Sequence, residues 1–327
     1  MTLSDDVRDY WNTRAEGYSL HNCDELDGGT GLVLEHLFRT ELGAKPGMRA
    51  LDAGCGPGIF SIVLARLGCR VTGMDLSPEM LEHAGANAKS RGLEADFRLG
   101  DVTDPGMEPS SLDLIVSRCV LWNLPAPAEA YRRWMSLLKP GGRLLVIDGN
   151  HYLHLFDERY ALWALRSAPA PGHAARYMRG VSSERIDRIA RDLPLSCIER
   201  PAWDVEVLES LGAEVRVASK DRRTVATGGG EAQVLDVCVF ALPVLPVLQL
   251  RPIAVRRARR VGGIEIEGSL MAYAFGNGGN RAVLGLTGYL ERQACLGPLR
   301  VQRDGVVFVV SVIVQAVSYT HLTLPTK

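Results

Sequence analysis

The chain has 327 residues, 46% hydrophobic and 23% charged, with a net charge of −1, an ordinary composition for a soluble globular protein. The charge is uneven: residues 243–327 hold 10 basic and 4 acidic side chains, leaving 27 basic and 34 acidic in residues 1–242. An acidic body disfavours a phosphate-backbone partner, so no nucleic acid is expected, and it suits a small or cationic ligand better.

The seven cysteines, at 23, 55, 69, 119, 197, 238 and 295, form no CxxC pair and have no accompanying histidine cluster. Neither a zinc site nor a disulfide framework is expected, and no metal ligand is assigned. The start, Met1-Thr2-Leu3-Ser4-Asp5-Asp6, lacks the features of a signal peptide. The longest apolar stretches, near Val306–Val310 and Val312–Val314, are far short of the ~20 residues of a membrane span. The default expectation is a reduced, cytoplasmic protein.

In chain order, Asp5–Ala15 reads as a short helix, with Val7, Tyr10, Trp11 and Ala15 at helical spacing. Leu32–Leu42 reads as a second, amphipathic helix. Pro46-Gly47 leads into a strand, Arg49–Ala53, and glycines separate it from a helix over Ile59–Leu67. Arg70–Met74 is the next strand, and Ser77-Pro78 opens a helix running to Arg91, with Ser at the cap and Pro at the first helical position. Strands follow at Asp96–Leu99 and Leu112–Ser117, then a helix over Ala128–Leu138, the breaker Pro140-Gly141-Gly142, and a strand over Arg143–Asp148.

Residues 150–200 read as a mostly helical insertion, followed by a helix over Trp203–Leu211 and strands over Glu214–Ala218 and Val234–Leu242. Apolar runs such as Leu112–Val116 suit strands covered on both faces. The alternation predicts an α/β fold: a Rossmann-like, seven-stranded, mostly parallel sheet with helices on both faces. Ligands of such sheets bind beyond the carboxyl ends of the strands.

The domain is expected to cover residues 1–242. Residues 243–327 form an uncertain extension, with the basic run Arg256-Arg257-Ala258-Arg259-Arg260, Gly-rich turns and short Val-rich runs. Its composition fits a small β extension. It fits equally a GC-rich segment read out of frame, ending in the adapter-like stretch Ser318–Lys327.

The chemistry concentrates at strand ends. Asp52-x-Gly54-x-Gly56-x-Gly58 links a strand to a helix, and Gly54 and Gly56 allow a tight turn and close approach of a ligand. The spacing departs from G-x-G-x-x-G because Ile59 stands at the third-glycine position, and Pro57 removes a backbone N–H that a pyrophosphate would use. Asp75 ends the second strand, where a carboxylate can accept from both ribose hydroxyls, and Leu76 can pack on an adenine face. Asp101 ends the third strand, where a carboxylate can accept from an exocyclic amine while the Val102 N–H donates to a ring nitrogen.

With those residues, the chain resembles a class I S-adenosylmethionine-dependent methyltransferase of the small-molecule group that includes quinone and sterol methyltransferases. The resemblance is carried by Leu51–Gly58, Gly73–Ser77, Gly100-Asp101, Leu112–Ser117, Leu138–Leu144 and the N-terminal Tyr10–Tyr18, and it spans about three quarters of the chain. It implies S-adenosylmethionine as cofactor, with contacts from Asp52, Gly54, Gly56, Asp75, Leu76, Asp101, Val102 and Ser117. It also implies closure over the methionine end by Tyr18 and Arg14, and a final strand inserted antiparallel into the sheet.

A sulfonium methyl is already activated, so transfer to a small-molecule acceptor needs mainly positioning and exclusion of water. A base is required only if the acceptor must lose a proton. His151 is the first candidate for it and His154 the second, while Arg118, Trp122, Asn123 and Tyr152 are expected to form the substrate pocket. The Asn-Pro-Pro-Tyr signature of base amino-methylating enzymes is absent, since Ser117-Arg118-Cys119-Val120 follows the fourth strand. The alternatives are a nicotinamide-dependent oxidoreductase and a non-catalytic S-adenosylmethionine-binding protein.

Overall fold

The computed structural model describes residues 2–166, 171–227 and 230–243, together with five short strands further along the chain. The chain divides into two compact units, Met1–Leu245 and Pro246–Lys327.

The first unit opens with α1 (Leu3–Asp27), which Thr2 caps: its hydroxyl accepts from the Asp5 N–H, and the Asp5 carboxylate accepts from the Thr2 N–H. The helix runs twelve residues beyond the expected end at Ala15. No proline interrupts it, and it stops only at Gly28-Gly29. Gly17 is tolerated inside it because the Tyr177 carbonyl lies 1.8 Å from where a Cβ would stand. α2 (Thr30–Thr40) follows, then β1 (Arg49–Ala53), α3 (Ile59–Arg66), β2 (Arg70–Asp75) and α4 (Pro78–Lys89). The Ser77 hydroxyl caps α4 by accepting from the Met80 N–H, as its sequence signal requires.

β3 (Asp96–Leu99), β4 (Leu112–Arg118), α5 (Pro127–Leu137) and β5 (Leu138–Gly149) complete the parallel part. β5 begins five residues before the expected Arg143: Leu138 already pairs with Leu112, and a register shift next to that pair absorbs the Pro140–Gly142 segment. The helical segment after β5 contains α6 (Glu158–Arg166), α7 (Ala175–Met178) and α8 (Glu184–Ala190). α9 (Ala202–Ser210), β6 (Arg216–Thr227) and β7 (Gly230–Pro243) close the unit.

The parallel sheet has five strands, in the order β3-β2-β1-β4-β5. Seven are reached only by adding β7 and β6, which join the β5 edge antiparallel, with β7 between β5 and β6. Helices cover both faces, and alternate residues serve two cores. Ala50, Leu114, Val116, Leu145 and Ile147 face the α2–α3 side with Phe38 and Phe60. Leu51, Ala53, Ile115, Leu144 and Val146 face the α5–α9 side with Trp134 and Leu208. The order turns outward on either side of the β1/β4 pair, which puts the ligand-binding crevice at their carboxyl ends.

The second unit holds an antiparallel three-stranded sheet of β8 (Ile253–Ala254), β9 (Met271–Phe275) and β10 (Val283–Thr287), and an antiparallel pair, β11 (Leu299–Arg303) with β12 (Val306–Val310). The Arg256–Arg260 run and the Ser318–Lys327 stretch lie outside the described residues. Among the described residues, no helix is long and apolar enough to cross a membrane.

α9 is tied to the sheet through charge. The Arg200 Nε–H donates to Asp204 Oδ2 at 2.8 Å, and the Tyr131 hydroxyl donates to Asp204 Oδ1 at 2.7 Å, all three side chains being buried. Removing one member of such a pair strands the other charge away from water. Asp204→Ala is therefore expected to cost about 3–5 kcal/mol in a guanidinium unfolding titration; a loss below about 1 kcal/mol would show that this network does not hold the helix.

Candidate active site

A cavity of about 290 Å³ opens at the carboxyl ends of β1, β2 and β4, toward the small end of the range of ligand sites. Tyr18, Gly54, Gly56, Asp75, Leu76, Asp101, Val102, Arg118 and Asn123 line it, so most of the expected cofactor residues share one wall.

The glycine loop is organised by the second strand. Gly54 and Gly56 take φ of 75° and 50°, in the left-handed region that glycine adopts without strain. At Gly54 a Cβ would also stand 2.3 Å from Val120 Cγ2. The Gly54 and Cys55 N–H groups both donate to the Met74 carbonyl, at 2.8 and 2.9 Å. The Gly56 N–H donates to Asp75 Oδ2 at 2.8 Å, and the Gly58 N–H to the Cys55 carbonyl at 2.9 Å. Pro57 has no N–H to give. Every backbone donor from Gly54 to Gly58 is thus engaged within the protein, so the loop offers no nest to a pyrophosphate, and the nicotinamide alternative loses its main binding element.

Asp75 uses both oxygens on backbone: Oδ2 on Gly56 and Oδ1 on the Ser77 N–H at 2.9 Å. Burial raises its pKa against the opposing effect of those donors. Each oxygen keeps lone-pair capacity for a hydroxyl donor from the cavity side. Asp101 accepts from the backbone N–H and the hydroxyl of Thr103, at 2.8 and 2.7 Å, which fixes its carboxylate on the rim. Leu76 is half-buried and also lines the cavity.

Asp52 and Ser117 are not in the cavity wall. The Asp52 carboxylate is buried behind the loop and accepts from the Ser61 hydroxyl at 2.7 Å. The Ser117 hydroxyl donates to the Ala53 carbonyl at 2.9 Å, joining β4 to β1. Both shape the loop from below and do not present side-chain atoms to a ligand. Burial lifts Asp52 to about 7, while Ser61 holds it down.

α1 forms the roof. Ser4, Val7, Arg8 and Trp11, one face of its first two turns, line the cavity, and Tyr18 leans over the loop 3.8 Å from where a Gly56 Cβ would be. The helical spacing of Val7 and Trp11 marks an apolar face, but spacing alone does not turn that face toward the cavity. Asn87 of α4 fastens roof to loop, donating to both the Ser19 hydroxyl and the Pro57 carbonyl at 3.0 Å. The Arg14 side chain is not on the cavity: it is buried and donates to the carbonyls of Tyr177 and Gly172, at 2.5 and 3.0 Å.

The expected substrate pocket is brought together only in part. Arg118 is on the cavity wall but forms a two-pronged ion pair with Glu25, at 2.9 and 2.8 Å. Asn123 is there too, accepting from the Trp11 Nε1–H at 3.1 Å. Trp122 and Tyr152 do not line the cavity. They pack on each other, 4.7 Å between ring centroids, in an apolar cluster with Tyr10, Ile186 and Leu193. In their place Val120, Leu124, Pro125 and Ala126 supply the apolar wall.

Neither His151 nor His154 lines the cavity. His151 Nε2 faces Asp148 Oδ1 at 3.1 Å, and Cys119, which does line the cavity, stands beside it. Burial depresses the imidazole, but the neighbouring Cys119 and Asp148 outweigh this and lift it to about 10. His154 turns its Nδ1 to the His151 carbonyl at 3.2 Å.

Fold and cavity together define an α/β domain with two acids at the strand ends of one cavity and no free backbone donor in its glycine loop. Residues 44–189 match the family described as "Methyltransferase domain", in keeping with the resemblance to class I S-adenosylmethionine-dependent methyltransferases. Similar curated proteins include a ubiquinone biosynthesis O-methyltransferase of Xanthomonas campestris pv. campestris, 40% identical over 33% of this chain and 45% of its own length. A ubiquinone biosynthesis O-methyltransferase of Xylella fastidiosa is 40% identical over 34% of this chain and 45% of its length. The chain thus spans less than half the length of these relatives. Among solved structures, a SAM-dependent methyltransferase from Aquifex aeolicus aligns with a TM-score of 0.40 and 19% identity, over 65% of this chain and 98% of that one.

Two outcomes follow from this geometry. Asp75→Ala removes the carboxylate expected to accept from ribose and the partner of the Gly56 N–H, so S-adenosylhomocysteine affinity in a calorimetric titration should fall about 10- to 100-fold, the worth of one charge-assisted hydrogen bond or more; unchanged affinity would remove Asp75 from the site. Asp52 holds its proton up to about pH 7 when folded, against an ordinary value of 3.8. Between those values the folded state binds more protons, so this group's contribution to stability is present below about pH 4 and is lost as pH rises through 7. Asp52→Asn should abolish that part of the decline in urea titrations at stepped pH, and an identical pH profile would refute the assignment.

Proposed function

We propose that the chain transfers a methyl group from S-adenosylmethionine to a small organic acceptor by in-line displacement. The observation that carries this reading is the glycine loop with no free backbone donor, set beside two strand-end acids on one cavity. A neutral ribose and adenine suit that wall, and a pyrophosphate does not.

When bound, the cofactor supplies an electrophilic methyl on a sulfonium, which needs no metal or base to be activated. The residues then have three tasks. Asp75 and Asp101 anchor the nucleoside, and Leu76 backs the adenine. Tyr18 and Trp11, 5.4 Å apart between ring centroids, close the roof and exclude water. Val7, Val120, Leu124 and Pro125 present apolar surface to an acceptor, whose orientation they fix by contact.

The curated relatives are named as O-methyltransferases, which supports a hydroxyl oxygen as the attacking atom. The Cys119 side of the cavity, with Asp148 and His151 behind it, is the polar end to which that hydroxyl is assigned. His154 has no part in this scheme. The division of the chain near residue 242 belongs to the same reading: the first unit carries the chemistry, which the separation of two compact units at Leu245 supports.

The test is incubation of the full chain with methyl-labelled cofactor and a panel of phenols, followed by mass spectrometry. A labelled product expected with the wild type should fall at least about tenfold with Trp11→Ala, through loss of closure and positioning. Binding of S-adenosylhomocysteine with no product from any acceptor class would favour a non-catalytic cofactor-binding protein, and binding of NADH alone would end the reading.

A further inference from the structure

Three side chains with different donor atoms meet where β4 and β5 end. Cys119, just past β4, lines the cofactor cavity. Asp148 is the penultimate residue of β5, and His151 lies three residues on. One ligand atom from each lies within 4.8 Å of the others, and Asp148 Oδ1 and His151 Nε2 are only 3.1 Å apart. In tetrahedral zinc coordination, with bonds of about 2.0–2.3 Å, ligand atoms sit roughly 3.3–3.8 Å from one another. Small side-chain rotations would bring all three donors into that spacing.

The surroundings supply what such a site needs. A thiol, a carboxylate and an imidazole match zinc-type cations and not magnesium or calcium, which prefer oxygen alone. Asp148 is already oriented from behind: Oδ1 accepts from the Gly149 N–H at 2.9 Å, and Oδ2 faces Arg200 Nη1 at 2.8 Å. That second contact lacks hydrogen-bond geometry, so the buried Asp148 Oδ2 and Arg200 Nη1 make no hydrogen bond. Oδ1 is thus held in place by backbone, and a cation there would take the place of the His151 N–H as its second partner. Asp148 is fully buried while the His151 side chain is 33% exposed, which leaves an entry path.

We propose that Cys119 Sγ, Asp148 Oδ1 and His151 Nε2 form a three-ligand site for a zinc-type divalent cation, with its fourth position open to the cavity. Three protein ligands and one open position are the arrangement of catalytic zinc, and closed structural sites use four. Binding would release two protons to solvent, one from the Cys119 thiol and one from His151 Nε2, which must give up its N–H to Asp148 before it can ligate. Resting on the methyl-transfer reading, the open position would take the acceptor hydroxyl and lower its pKa, so that its proton leaves to solvent and the oxyanion displaces S-adenosylhomocysteine from the methyl. The cation site itself does not depend on that reading.

The test uses the full chain, titrated with Co²⁺ alone as a spectroscopic stand-in and then with Zn²⁺ in competition. One equivalent is expected to bind with a thiolate-to-cobalt charge-transfer band, which Zn²⁺ displaces. Cys119→Ser should abolish the band, and His151→Ala should weaken Co²⁺ binding at least about tenfold. Retained S-adenosylhomocysteine binding in His151→Ala reports that the variant is folded. A band absent from the wild type, a band that survives in Cys119→Ser, or Co²⁺ affinity unchanged in His151→Ala would each overturn the site. Methyl transfer is read separately: labelled product without cobalt binding refutes the cation site alone, and cobalt binding without product refutes the transfer reading alone.

Discussion

The arrangement of the site depends on one interaction, the Asp75 carboxylate accepting the Gly56 N–H at 2.8 Å. It spans two strands and a loop. Asp75 ends β2, Gly56 follows β1, and the same carboxylate accepts the Ser77 N–H that precedes α4. One side chain therefore sets the loop's distance from the second strand and the start of the fourth helix. The constraint also selects the ligand, because a loop whose N–H groups are spent on Met74, Asp75 and Cys55 cannot cradle a phosphate.

Closure is built on the same framework. α1 is docked by the Trp11–Asn123 and Glu25–Arg118 contacts and by Asn87, which holds Ser19 of the roof and Pro57 of the loop with one amide. Once docked, its first turns present Val7, Arg8 and Trp11 to the cavity, and Tyr18 reaches over Gly56. On the far side Arg200 lies between Asp148 and Asp204, so β5's end and α9 share a buried guanidinium. The end of β5 is thus rigid and charged, whereas the wall made by Val120, Leu124 and Pro125 is apolar.

Much of this was legible from sequence because strand ends are marked by local signals. β1 and β3 fall on their expected residues, and Asp75 and Asp101 stand at strand ends on the cavity, where the alternating β/α pattern places them. Other parts were not legible, for identifiable reasons. α1 continues past Ala15 because tertiary packing against Tyr177 accommodates Gly17, a residue that otherwise weakens a helix. Trp122 and Tyr152 stand in segments next to the site, yet their rings turn into the Tyr10–Leu193 cluster, and side-chain direction is not written in spacing. Asp52 and Ser117 carry the family's motif positions but act from behind the wall, through Ser61 and Ala53. The exhaustion of the loop's donors arises from bonds to Met74 and Asp75, which the spacing of the loop residues does not encode. In the same way, Cys119 acquires meaning only when β4 and β5 bring it to Asp148 and His151.

The central claim is that this cavity holds a nucleoside through strand-end acids and not through the loop's backbone. A crystal structure of the full chain with S-adenosylhomocysteine tests it most directly. The account predicts ribose hydroxyls on the Asp75 carboxylate, the adenine against Leu76 with its amine toward Asp101, and the Gly56 N–H still on Asp75. A ligand seated elsewhere, or one whose groups take the Gly54–Gly58 N–H donors from their protein partners, would contradict it.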